Sequence, residues 1–355
     1  MPPLPAEDLE HILAHTADLW PELRGSRLFI TGATGFFGKW LLESIAAAND
    51  ILDARLSATL LSRNPAGFAA EIPRLALRPE FEWLQGQSEN FDFPAGRFDH
   101  VIHLATPSAA EVGAGDTALL VSALHGMQRV LQFARQAGAS RLLLASSGAV
   151  YGPQPAHLSH IPEDYLGAPD LRQPMSAYGE LKRMSELMCA MTPEVDCVIA
   201  RGFSFVGPYL PMCDKFAVGS FIRDALAGGP IRIRSDGSPL RSYLYAADLA
   251  VWLLTMLVRG RTGTAYNLGS DYALTLRELA EGIAAAMPAA CRVEVTGTPG
   301  AAANRYVPDI SRAGTELGLR VAINIEAAIA RSVATCLPAG SSPANTPTAG
   351  RKAKA

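Results

Sequence analysis

Tyr178 and Lys182 stand four residues apart in Tyr178-Gly179-Glu180-Leu181-Lys182, a spacing that places both side chains on one helical face. A lysine cation beside a phenol stabilises the phenolate, so the pair predicts a tyrosine pKa below its ordinary value of about 10. Such a phenol exchanges a proton with a substrate alcohol or carbonyl while a nicotinamide exchanges hydride at the adjacent carbon. Ser147, which ends the apolar run Leu142-Leu143-Leu144-Ala145-Ser146-Ser147, can hydrogen-bond the same oxygen and orient it. Taken alone, the Tyr178/Lys182 spacing is also that of an ordinary helix surface. Its functional reading rests on Ser147 and on glycines far upstream.

Those glycines lie in Arg27-Leu28-Phe29-Ile30-Thr31-Gly32-Ala33-Thr34-Gly35-Phe36-Phe37-Gly38. A β-favouring apolar run meets three glycines at intervals of three, and a helical apolar pattern follows at once. Gly32 would permit the tight turn, Gly35 a close approach of backbone to diphosphate, and Gly38 close packing of helix on sheet. The diphosphate would then meet unpaired N–H groups at the helix N-terminus. The spacing is GxxGxxG rather than GxGxxG, and a plain Gly-rich turn has the same letters.

The elements around these residues alternate. Strands are expected near 27–31, 57–62, 81–84, 98–105, 140–147 and 195–200, with helices near 36–48, 118–137 and 176–191. This order predicts an α/β fold, a Rossmann-like doubly wound parallel sheet whose chemistry lies beyond the carboxyl ends of its strands. Residues 1–25 read as an N-terminal helical extension, 26–200 as the dinucleotide-binding core and 201–335 mainly as a smaller C-terminal substrate-binding lobe. Within that lobe 246–258 is apolar enough to return to the Rossmann domain, and 338–355 reads as a disordered tail. His103, inside an apolar strand, reads as a core histidine. At the end of the second strand Ser62 and Arg63 occupy the place where an acidic residue marks a free ribose 2′-hydroxyl. The arginine favours NADP modestly, with NAD possible.

Jointly the Gly32/Gly35/Gly38 loop, Val150-Tyr151-Gly152 after Ser147, the Tyr178/Lys182 pair, Gly207-Pro208 and Tyr266-Asn267-Leu268-Gly269 resemble the extended short-chain dehydrogenase/reductase superfamily. The resemblance is to its nucleotide-sugar epimerase, dehydratase and reductase branch, and spans nearly residues 24–333. It implies Ser147, Tyr178 and Lys182 as catalytic residues. For the dinucleotide it implies Gly32, Thr34, Gly35, Phe36, Phe37 and Gly38, then Leu104, Ala105 and Thr106, with Tyr178 and Lys182 beside the nicotinamide ribose. For a nucleoside-diphosphate sugar it implies Arg241 at the diphosphate, and Ser108, Ser147, Ser204 and Arg305 as further contacts. An arginine fork suits phosphate. Arg201 also matches a family position, with a structural role open to it, and Asp248 reads as a residue organising backbone at a helix start. A homodimer is implied through helices flanking the sheet.

Three departures bear on the reaction. Ser204 stands where the branch often has asparagine, Gly86-Gln87 replaces the usual Gly-Asp, and Gly148-Ala149 replaces the Asp-Glu with which 4,6-dehydratases remove water. The leading expectation is therefore NAD(P)H-dependent reduction of a nucleoside-diphosphate 4-keto-6-deoxysugar at C4. The alternative is a nucleotide-sugar 4-epimerase that retains NAD; a 4,6-dehydratase and a non-enzymatic dinucleotide-binding scaffold rank lower.

Composition reads as that of a globular protein rather than a disordered one. Of 355 residues 49% are hydrophobic and 18% charged, and the formal charge of −3 gives no long-range attraction for nucleic acid or an anionic membrane. The five cysteines show neither metal-ligand spacing nor a disulfide framework. With no signal-like N-terminus and no apolar run of about 18 residues, the expectation is a cytoplasmic protein without a metal site.

Overall fold

Leu28 and Ile30 of the first strand pack into a hydrophobic core on one side of a sheet, and Phe29 packs into a second core on the other. That alternation follows from the period of two along a strand and requires helices on both faces. The computed structural model describes residues 1–107, 111–112, 117–298 and 304–337. The sequence expectations for Ser108 and for the 338–355 tail fall outside them.

Six strands build the sheet from the first part of the chain: β1 (Arg27–Thr31), β2 (Ser57–Ser62), β3 (Phe81–Gln85), β4 (His100–His103), β5 (Arg141–Ser147) and β6 (Asp196–Gly202). Ala265–Leu268 adds a seventh outside β6, giving the order Ala265–Leu268, β6, β5, β4, β1, β2, β3, with every pairing parallel. The order reverses between β1 and β4. Their carboxyl ends therefore diverge into a crevice, the position at which doubly wound sheets receive ligands.

One face is covered by helices Phe36–Leu52 and Ala246–Arg259 together with the N-terminal helix Ala6–His15. Helix Ala246–Arg259 is buried on every side from Ala246 to Leu257, which accounts for a sequence that is apolar but for Asp248 and Thr255 over that span. The opposite core is aromatic, with Phe29 ringed by Phe91, Phe98 and Phe133 at centroid separations of 4.5–5.9 Å. The long helices Thr117–Gln136 and Ala177–Ala190 pack against each other. The N-terminal helix is tied in by polar contacts as well. Buried Asp8 accepts hydrogen bonds from Tyr245 at 2.7 Å and Arg331 at 2.6 Å, and His11 pairs with Asp248 at 2.8 Å.

The remaining segments form small sheets beyond the strand ends. Leu240–Ser242 pairs antiparallel with Ala273–Thr275 and parallel with Arg305–Tyr306. Ile231–Ile233 pairs with Val293–Val295. A capping box formed by Thr275 and Glu278 starts helix Leu276–Ala286, satisfying backbone donors that would otherwise be orphaned. Trp40, buried in the first long helix, donates to the Pro208 carbonyl at 2.9 Å.

Candidate active site

Gly32 has a φ of +71°, and a Cβ there would sit 2.7 Å from the Ala105 backbone nitrogen. Only glycine lets β1 turn this close to the end of β4. Thr31 binds the two ends together: its hydroxyl meets His103 Nδ1 at 2.8 Å and accepts the Ala105 N–H at 3.1 Å. His103 is a core histidine, held neutral by burial and by Lys182, with its pKa pushed down to about 3. Gly35 caps the 17-residue helix Phe36–Leu52, whose free N–H groups and dipole favour an anion. A Cβ on Gly38 would overlap the Ala33 backbone, so this glycine seats the helix against the turn.

This turn opens on a cavity of about 920 Å³ that runs between the sheet and the C-terminal segments. Gly32, Gly35, Phe36, Phe37, Leu104 and Thr106 line its sheet end, together with Ser147, Tyr178 and Lys182. Ser204 and Arg241 line the other side. A glycine cradle at a helix N-terminus, with an elongated cavity beyond it, fits a dinucleotide. Thr34 and Gly38 shape the turn without lining the cavity, and the Ala105 N–H is taken by Thr31.

Ser147 sits at the end of β5 and accepts the Ala149 N–H at 3.2 Å. Its hydroxyl neighbours the Tyr178 phenol and works to lower that phenol's pKa. Burial nevertheless wins and pushes Tyr178 above the ordinary phenol value, contrary to the direction expected from the neighbouring lysine. The reason is geometric. Lys182 Nζ donates to Thr106 Oγ1 at 2.8 Å and to the Ala145 carbonyl at 2.6 Å, and lies 5.8 Å from the Tyr178 ring centroid. Burial brings the lysine itself down to about 7. The charge expected to stabilise phenolate is thus costly where it stands.

Arg241 is partly buried and donates only to main-chain carbonyls, Leu240 at 2.8 Å and Asn304 at 3.0 Å. Among the described residues it has no carboxylate partner, which leaves a cation facing the cavity. The cavity wall also carries Arg232, Arg234, Arg223, Lys215, Asp214 and Asp224, charges spread over helix Ala217–Leu226, strand Ile231–Ile233 and the segments beside them, which no sequence spacing picked out. Arg305, expected at a phosphate, is turned away and donates to the Ser159 carbonyl at 3.1 Å. Adjacent strand residues face opposite ways, and it is Tyr306 that turns toward Ser147. The sequence carried no signal for that tyrosine beyond its place beside Arg305.

Arg201 is structural: it pairs with Glu186 at 2.7 Å and donates to the Tyr151 hydroxyl at 2.9 Å. Asp248 does not organise its own helix start. Its carboxylate accepts the backbone N–H groups of Ala322 and Ile323, both at 2.9 Å. No group of three or more His, Cys, Asp or Glu side chains is arranged to hold a metal among the described residues. No described helix is long and apolar enough to cross a membrane.

A parallel sheet with this strand order, a glycine turn at its crevice and a serine, tyrosine and lysine beside it define an extended short-chain dehydrogenase/reductase, an enzyme class. Residues 28–269 match the model of the NAD dependent epimerase/dehydratase family, and the chain belongs to that family. UDP-glucuronic acid decarboxylase 1 of Danio rerio is 28% identical over 314 residues, covering 86% of this chain and 72% of the relative. Two solved structures share the fold. The dTDP-glucose 4,6-dehydratase DesIV from Streptomyces venezuelae has a TM-score of 0.72 at 24% identity, covering 87% of this chain and 96% of that one. The UDP-glucuronic acid 4-epimerase from Bacillus cereus has a TM-score of 0.71 at 19% identity, covering 87% and 98%.

Both of those structures hold NAD, and this overturns the preference for NADP. The preference rested on Ser62 and Arg63, and neither lines the cavity. Arg63 is exposed, and the Ser62 hydroxyl accepts the Asn64 N–H at 3.2 Å. An arginine at a strand end is as readily a solvated side chain as a phosphate ligand.

Proposed function

We propose that the chain is a nucleotide-sugar 4-epimerase that retains NAD. The observation that carries this reading is Gly148, which follows Ser147 where a dehydratase carries an acid: a Cβ there would lie 2.7 Å from both Tyr306 Oη and Phe203 Cζ. With that space filled, the reaction is confined to what Ser147, Tyr178 and Lys182 can do at one oxygen. The relatives' reactions, epimerisation, dehydration and decarboxylation, support redox-neutral chemistry over the C4 reduction favoured from sequence.

Bound NAD supplies reversible hydride acceptance at C4 of the sugar. Gly32, Gly35, Phe36 and Phe37 would hold its diphosphate end, and Thr106, Tyr178 and Lys182 its reacting end. Tyr178 takes the proton of the C4 hydroxyl as the ketone forms and returns it when the other face of the ketone is reduced. Ser147 stands beside the same oxygen and gives it a hydrogen bond once Tyr178 carries the proton. Arg241 meets the sugar nucleotide's diphosphate, which supplies the anionic partner that the protein withholds from it. Because the diphosphate grip is separate from the sugar, the ketone can turn without the nucleotide leaving.

Met184 and Leu187 on helix Ala177–Ala190 and Val121 on the adjoining Thr117–Gln136 are 44–51% exposed. An apolar stripe on two packed helices supports a homodimer through this face.

The test incubates the protein and NAD with UDP-, TDP-, GDP- and CDP-sugars, following products by NMR and reduced nicotinamide by absorbance. The expected result is a C4 epimer with no net change in reduced cofactor. Stoichiometric consumption of NADH with a 4-keto-6-deoxysugar would replace this reading by C4 reduction, and release of carbon dioxide from a sugar acid by decarboxylation.

A further inference from the structure

The space directly after Ser147 is filled from the other side of the cavity. Tyr306 comes from the strand Arg305–Tyr306, where it stands in register with Arg241. Arg241 in turn holds the start of that strand through the Asn304 carbonyl at 3.0 Å. The Tyr306 ring packs tilted on Phe203 with centroids 4.5 Å apart. Its hydroxyl donates to the Gly202 carbonyl at 3.3 Å and neighbours the Ser147 hydroxyl, which also neighbours Tyr178. The Tyr306 hydroxyl also stands 2.7 Å from the place of a Cβ on Gly148, so it abuts the residue that follows Ser147. Tyr306 is not part of the cavity lining; it stands behind Ser147.

We propose that Tyr306 is a positioning residue: its hydroxyl sets the direction of the Ser147 hydroxyl and links the Arg241 strand to the proton held at Tyr178. The inference rests on Tyr178 being the acid-base of the proposed reaction.

Each hydroxyl has one proton to give and two lone pairs. While Tyr178 is neutral, its own proton is available to Ser147 or substrate, and Tyr306 can give its proton to Gly202. Once Tyr178 is ionised, the Ser147 proton turns to the phenolate, and the Ser147 oxygen keeps only the Ala149 N–H. Tyr306 can then swing its proton from Gly202 to Ser147. The added bond polarises the serine and steadies the phenolate through it. No proton leaves Tyr306 in this exchange, and burial keeps its phenol above the ordinary range. The titratable groups facing Tyr306 are Tyr178, Arg241 and Tyr151, and Lys182 faces Tyr178 from 5.8 Å. Ser147 neighbours both phenols.

Tyr306→Phe keeps the ring on Phe203 and removes one oxygen. In the NAD-loaded enzyme the rising limb of kcat against pH is expected to move up by about one pH unit, a roughly tenfold loss at neutral pH. The high-pH plateau and the KM for nucleotide sugar stay within about twofold. An equal loss at every pH, or a change in KM alone, would reduce Tyr306 to a packing residue. A second readout needs no substrate: the tyrosinate absorbance titration of Tyr178, taken as the difference between proteins with and without Tyr178→Phe, is expected to move to higher pH when Tyr306→Phe is added. An unmoved difference titration overturns the inference. If the wild-type enzyme turns over no sugar nucleotide, the proposed reaction falls while this titration still decides the role of Tyr306.

Discussion

Lys182 Nζ lies 5.8 Å from the centroid of the Tyr178 ring and gives its hydrogen bonds to Thr106 Oγ1 and the Ala145 carbonyl. The lysine is therefore a cross-brace from the tyrosine helix to the ends of β4 and β5, and its charge is out of water. Folding lowers its pKa from 10.5 to about 7. Between those values the unfolded chain binds more protons than the folded one, so stability rises with pH across this window. The penalty is fully present below pH 7. Lys182→Met is expected to abolish turnover yet raise the unfolding free energy by about 1–3 kcal/mol near pH 6, after the lost hydrogen bonds are deducted. The gain should shrink toward pH 10. Urea denaturation across that range measures it, and a variant less stable than wild type at pH 6 would contradict the account.

The glycines of the turn should separate by task. Gly38→Ala forces a Cβ into the Ala33 backbone and is expected to cost about 2–4 kcal/mol of stability. Gly35 has an ordinary φ of −80° and its Cβ would meet only the Gly32 carbonyl oxygen, at 3.3 Å. Gly35→Ala should hold stability within about 1 kcal/mol and weaken NAD binding about tenfold or more, since its Cβ enters the cradle. Thermal unfolding and NAD titration of both variants check the contrast.

Arg241 and Arg63 should behave oppositely. Arg241→Ala is expected to raise the KM for nucleotide sugar by about 10- to 100-fold, the worth of a charge-assisted contact. Arg63 is exposed and off the cavity, so Arg63→Ala should leave NAD affinity within about twofold. Steady-state kinetics and calorimetric NAD binding give both numbers.

Arg201→Met should act on stability. It removes the cation paired with Glu186, whose carboxylate keeps the Ser146 hydroxyl, and losing one side of a partly buried pair costs about 1–3 kcal/mol. At temperatures where the variant is folded, its KM for nucleotide sugar should match wild type. A KM change without a stability change would move Arg201 into the binding site.

The homodimer has its own test. Met184→Glu with Leu187→Glu puts two charges into the exposed apolar stripe and is expected to give a monomer in analytical ultracentrifugation. A wild-type protein that already sediments as a monomer would remove the proposal.

What the sequence determined by itself is what local rules govern. Alternation placed Leu28 and Ile30 opposite Phe29, the glycines at 32, 35 and 38 marked a strand-to-helix turn, and the four-residue step put Tyr178 and Lys182 on one face, because each depends only on neighbouring backbone geometry. The tertiary structure decided everything that depends on burial and on register between distant strands. Burial reversed the pKa shift expected for Tyr178, since the cost of charge in the interior outweighs the Ser147 hydrogen bond, and the lysine stands 5.8 Å from the ring centroid. Pairing with Leu240–Ser242 turned Tyr306 toward Ser147 and Arg305 away. Packing left Arg63 in solvent and brought the Asp248 carboxylate to the N–H groups of Ala322 and Ile323. Gly148 gains its meaning in the same way: its missing side chain is a local fact, and the phenol that fills the space arrives only because the far end of the chain folds back over the sheet.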